Sequence, residues 1–146
     1  LTITEGPAQV VERILVAVDG SKESDRAVVL ASQMSVAFRA KMTIMHVVEM
    51  DEIPTLIAEA GDRAGEERGQ LILGSAARIA ASFGASPETA MLKGHAAQQV
   101  LRYAERLKPH LIVMGGRGLT GAKGVLLGSV SQTISRKADC AVVIAR

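Results

Sequence analysis

Aromatic residues make up only 2% of the 146-residue chain: two Phe, one Tyr and no Trp. A core must therefore be built from aliphatic side chains. The stacking platforms that hold single-stranded nucleic acid have almost nothing to be made from. Charge of one sign is also missing. Seventeen Lys and Arg against fifteen Asp and Glu leave a net +2, too little to neutralise several duplex phosphates together. The single cysteine, Cys140, can form no internal disulfide and no cysteine-rich zinc site. The three histidines, His46, His95 and His110, lie far apart without a metal-ligand spacing. Apolar runs stay well short of the roughly 18 residues of a spanning helix. Leu1–Glu12 lacks the basic-then-apolar order of a secretory signal. The expectation is a cytoplasmic protein that binds neither nucleic acid nor membrane.

What is present has the size of one domain. Hydrophobic residues at 48% suffice for a real core. Residues 1–11 read as an N-terminal extension and 12–146 as a single domain. Five short apolar runs mark strands: Arg13–Asp19, Met42–Val48, the weaker Thr89–Leu92, Leu111–Met114 and Ala141–Ala145. Four of them are nearly continuous rather than alternating, as strands covered on both faces must be. Between them, apolar residues recur at three and four: Ala27, Leu30, Ala31, Met34 and Phe38; Ile72, Ala76, Ile79 and Phe83; Ala97, Val100, Leu101, Ala104 and Leu107; and, more briefly, Leu127, Val130 and Ile134. Strand–helix alternation predicts a doubly wound α/β domain with a five-stranded parallel sheet in the order 3-2-1-4-5 and helices on both faces. Asp51–Gly69 is the least regular stretch. Gly61, Gly65 and Gly69 recur every four residues, and each costs about 1 kcal/mol against Ala inside a helix. A mobile connection is the expectation there.

The richest segment leaves the fourth strand. Six glycines stand in the fourteen residues from Gly115 to Gly128. Missing side chains let main-chain N–H groups converge on an anion. Gly128-Ser129 then opens the last helix, whose N-terminus carries partial positive charge, and Ser129 and Ser131 add hydroxyls. In a 3-2-1-4-5 sheet this loop borders the crevice where the winding reverses. The first strand ends there too, in Asp19-Gly20-Ser21. Two familiar phosphate motifs fail. A P-loop from Gly116 to Gly121 has Ala122 where its Lys belongs. The dinucleotide fingerprint Gly116, Gly118, Gly121 lacks its acid, since Arg146 follows the next strand.

These residues resemble the universal stress protein family, in its ATP-binding class. The family signature is Gly, two residues, Gly, nine residues, Gly, then Ser or Thr. Gly115, Gly118, Gly128 and Ser129 match it in full. Ile14–Ser21, the second strand ending His46-Val47, and Asp139–Ala145 are similar to the family's corresponding segments. The resemblance implies a Rossmann-like fold of the adenine nucleotide alpha hydrolase type. It implies bound ATP, with Mg²⁺, and a role in the stress response. Ala17 and Asp19 match positions beside the adenosine, and Asp19 is also the candidate metal residue. Val47 matches a position whose backbone reads the adenine edge. Gly115, Gly116, Arg117 and Gly118, with Gly121 further along the loop, match the turn under ribose and phosphates. Gly128, Ser129, Val130 and Ser131 match a second phosphate contact. Family members lacking these glycines generally do not hold ATP. Gly116 departs from the Ser or Thr often found in the family, which removes one hydrogen bond of about 1 kcal/mol.

The apolar last strand, 141–145, would form an exposed edge, and pairing with a second copy would close it. The resemblance implies the same homodimer. Asp19 also reads as a helix cap, His46 as a packed histidine, His95 as part of a cap and Cys140 as inert. Arg117, and more weakly Lys123, are candidates for pairing with phosphate. No nucleophile–base pair is legible, so a binding module with at most slow ATP hydrolysis is the leading reading. An enzyme with an adenylated or phosphoryl-transfer intermediate, and a nucleotide-free interaction protein, are the alternatives.

Overall fold

The computed structural model describes residues 10–50, 55–117 and 128–146, with side chains of the second helix described from Arg63 onward. Five strands alternate with four helices: β1 Arg13–Ala17, α1 Lys22–Phe38, β2 Lys41–Glu49, α2 Thr55–Ser82, β3 Glu88–Gly94, α3 Ala96–Leu107, β4 Leu111–Gly115, α4 Ser129–Lys137 and β5 Ala141–Ala145. All strand pairs are parallel, in the order β3-β2-β1-β4-β5. The predicted fold class and strand order are those observed.

Alternation along the strands divides the core in two. Ile14, Val16, Met42, Ile44 and Val113 face α1 and α2, meeting Ala27, Val28, Ala31, Leu73 and Ala76. Leu15, Met45, Ile112 and Met114 face the other way, toward Val100 of α3 and Ile134 of α4. The central strands β1 and β4 are buried on both faces, which is why their sequences run apolar without a break. β3 is an edge strand with no fully buried residue, which explains its weak signal.

Two expectations need correction. Residues 55–69 are helical: α2 begins at Thr55. The glycines let the helix approach the sheet. A Cβ on Gly65 would stand 2.7 Å from Val48 Cγ1, and one on Gly69 would stand 2.6 Å from Met91 Sδ and 3.1 Å from His46 Cδ2. Tertiary contact thus outweighs poor local propensity. Phe38 and Phe83, expected on buried stripes, are exposed at the ends of α1 and α2. The core contains no phenylalanine, and the aliphatic reading holds more strictly than composition required. Leu127, predicted on the last helical stripe, lies outside the described residues; α4 starts at Ser129 after the N-cap Gly128.

Candidate functional site

β1 and β4 are neighbours in the sheet but not in sequence, so the chain winds away from them in opposite directions. Their carboxyl ends open the crevice of such sheets. Ala17, Asp19, Gly115, Gly116, Arg117 and the α4 start lie at this rim. Gly118, Gly121 and Lys123 lie outside the described residues.

The β1 exit is closed by short polar side chains. Ser21 is the N-cap of α1, and its Oγ accepts from Ser24 N at 3.1 Å. Ser24 Oγ donates to Ser21 O at 3.0 Å. Asp19 is therefore not the cap. Its Oδ1 accepts from Ser21 N at 2.9 Å and shapes the turn before the cap. Gly20, at φ +85°, supplies the left-handed residue this turn needs.

The β4 exit is closed through its backbone. Gly116 N donates to Ala145 O at 3.0 Å, extending the sheet one residue. Gly116 O accepts from Gly128 N and from Ser131 Oγ, both at 2.5 Å. The two feet of the glycine loop are thereby held at one point. Ser131 is buried and its hydroxyl also lies 3.0 Å from Gly128 O. Its side chain fastens the loop rather than projecting from it. Gly128 offers no side-chain cap to α4, and helix geometry leaves the N–H groups of Ser129, Val130 and Ser131 without an intrahelical acceptor. Gly115 and Gly128 are small for structural reasons as well. A Cβ on Gly115 would come within 2.8 Å of Glu23 C and 2.9 Å of Ser24 N, and one on Gly128 within 3.0 Å of Arg117 O.

One contributor, Glu23, escaped sequence reasoning, and His46 is the packed histidine expected. Glu23, in the first turn of α1, pairs with Arg117 at 3.0 Å across 94 residues of sequence. His46 is buried, and its Nδ1 lies 2.8 Å from Val18 O. A carbonyl only accepts, so Nδ1 carries the proton and donates. His46 thus anchors the last residue before Asp19 to β2. Glu23, four positions beyond the predicted cap Asp19, was visible in sequence as an acidic residue; its partner was not.

Val47 occupies an informative edge. In a parallel ladder, successive residues turn their N–H and C=O alternately to the two neighbouring strands. Met45 O accepts from Val18 N at 2.9 Å. Val47, two residues on, turns its polar groups to the same side, where β1 has ended and the chain departs into α1. Its backbone edge faces the crevice while its side chain is buried among Val100, Ile112 and their neighbours.

The remaining candidates sit elsewhere or act locally. His95 occupies the N-cap position of α3 but makes no side-chain cap bond. Glu49 Oε1 accepts from Ala96 N at 3.3 Å instead. Cys140 is a free thiol beside β5. Burial, and then the neighbouring Asp139 carboxylate, push its pKa up, which disfavours the reactive thiolate. Among the described residues, no group of three or more His, Cys, Asp and Glu is placed to hold a metal. No helix among them is long and apolar enough to cross a membrane.

The fold and its crevice define a doubly wound α/β domain with a five-stranded parallel sheet. Comparison with known proteins narrows this. The sequence profile of the Universal stress protein family matches residues 11–146. Universal stress protein YxiE of Bacillus subtilis is 33% identical over 146 residues, covering 92% of this chain and 98% of the relative. Among solved structures, the universal stress protein UspA from Lactobacillus plantarum superimposes with a TM-score of 0.86 at 23% identity, covering 94% of this chain and 99% of its own. A universal stress protein solved in complex with cAMP gives a TM-score of 0.75 at 28% identity, covering 94% and 99%. The chain belongs to the universal stress protein family.

Proposed function

We propose that this protein binds an adenine nucleotide at the β1–β4 crevice and acts as a regulatory module of the cytoplasmic stress response. ATP accompanied by Mg²⁺ is the ligand that the intact glycine signature favours. The observation that carries the reading is the closure at Gly116. One carbonyl gathers Gly128 N–H and the Ser131 hydroxyl, and so brings the α4 N-terminus against the β4 exit. An anion at that rim meets backbone donors and the positive end of a helix. The 28%-identical relative solved with cAMP supports an adenine ligand.

In this reading Ala17 and Asp19 lie beside the adenosine, and the Val47 backbone edge hydrogen-bonds the base. Gly115, Gly116, Arg117, Gly118 and Gly121 turn under ribose and phosphates. Ser129 and Val130 give the second phosphate contact through their amides. Ser131 acts by holding the loop. The metal would come with the triphosphate and its bound waters, and one carboxylate such as Asp19 would add a ligand. Its role would be to offset phosphate charge. A second copy pairs along 141–145 of β5, whose outer edge carries the half-buried Val142, Val143 and Ile144. The modest sequence of polar groups at the rim fits binding better than rapid hydrolysis.

Calorimetry and thermal melts with AMP, cAMP and ATP, each with and without Mg²⁺, test this. The melting temperature should climb with ligand concentration. Gly128 is a poor place for the disabling substitution, because a Cβ there presses on Arg117 O. Ser129→Glu is better. A carboxylate suits the first turn of a helix but repels phosphate. Affinity should fall by about tenfold or more with no loss of stability. Unchanged affinity in this variant, or no binding by the parent, would refute the assignment.

A further inference from the structure

Glu23 sits where a phosphate-binding crevice has least use for a carboxylate. Its side chain is 16% exposed and pairs with Arg117, itself 41% exposed, at 3.0 Å. It cannot easily withdraw. The absence of a side chain at Gly115 lets the first turn of α1 lie directly on the end of β4, with the Glu23 Cβ and backbone carbon 2.8 Å from where a Gly115 Cβ would stand. Glu23 also lies in the first turn of its helix, where a negative charge is favourable. The carboxylate is thus held at the junction of β4 and α1, beside the guanidinium at the foot of the glycine loop.

We propose that Glu23 sets how much negative charge the site accepts, through its hold on Arg117. This rests on the nucleotide reading above. In the free protein the pair is neutral. A phosphate that recruits Arg117 leaves Glu23 as a mostly buried charge beside another anion, and a buried charge that loses its partner is costly. A monophosphate brings little charge against it. Metal-free ATP brings about four negative charges at neutral pH, and the repulsion grows with each. A divalent cation on the triphosphate cancels much of that penalty. Glu23 therefore makes the site tolerant of AMP without metal and selective for ATP as its metal complex. It is a specificity-determining residue; the phosphate contacts themselves come from Arg117 and the backbone.

The test is calorimetry on nucleotide-free protein with AMP, ATP in EDTA, and ATP with excess Mg²⁺. It compares the parent with Glu23→Gln and with Glu23→Ala, the second being favourable to helix α1. Both variants should bind metal-free ATP about tenfold more tightly than the parent, and AMP within about threefold of it. The gap between metal-free and Mg²⁺-bound ATP should shrink accordingly. Equal changes for AMP and ATP, or none in either variant, would overturn the role of Glu23 while leaving nucleotide binding intact. A parent that binds none of the three ligands overturns both.

Discussion

Two helices begin at the same rim of the sheet, and their first turns are built in opposite ways. α1 closes its own N-terminus. Ser21 caps it, Ser24 returns a hydroxyl to Ser21 O, and Glu23 and Asp25 place carboxylates in its first turn. α4 starts from Gly128 without a side-chain cap and without an acid in its first turn. Both carry the partial positive charge of a helix start. α1 satisfies that charge with its own residues, while α4 has no side chain of its own that does so. On the proposed reading, a glycine-rich approach marks an anion site only where the helix behind it has not already satisfied itself. At the same rim, the β1 exit is held by the side chains of Asp19, Ser21 and Ser24, whereas the ends of the β4 exit meet at Gly116 O, which accepts from Gly128 N and Ser131 Oγ.

This contrast can be broken most forcefully at Gly115. Gly115→Ala would drive a Cβ into the backbone of Glu23 and Ser24, which cannot swing aside. A loss of about 2–3 kcal/mol is expected in urea denaturation. Removing the α1 cap is the next largest change. Ser21→Ala should cost about 1 kcal/mol, with nucleotide affinity within about twofold of the parent if α1 contributes no amide to the ligand. Ser131→Ala is expected to cost about 0.5–1 kcal/mol of stability. It should nonetheless weaken nucleotide binding by about threefold to tenfold, because the loop loses its fastening to α4. The two serine variants sharpen the comparison together. Similar stability losses with dissimilar affinity losses would confirm that only the second helix start serves the site; equal affinity losses would show that both do.

Much of the fold was legible in sequence because it depends on local pattern. Leu111–Met114 and Arg13–Asp19 are apolar without interruption, and a strand with helices on both sides has no other way to be written. The errors share one cause. Gly65 and Gly69 argued against a helix by propensity, yet they are spaced to let α2 lie close on Val48, His46 and Met91. Phe38 and Phe83 kept helical spacing one step past the point where the sheet stopped covering them. Asp19 looked like the cap, but beyond the turn at Gly20 the capping side chain is that of Ser21.

At the site the same division recurs. Sequence alone determined the order of strands and helices along the chain and the aliphatic core, since each follows from residue type and spacing. Tertiary structure alone decided that Arg117 meets Glu23, that Ser131 turns its hydroxyl onto Gly116 O, and that His46 holds Val18. Those contacts join residues 15 to 94 positions apart, and which of many polar groups meet across such separations is settled only when the packed sheet brings their strands and helices to one rim.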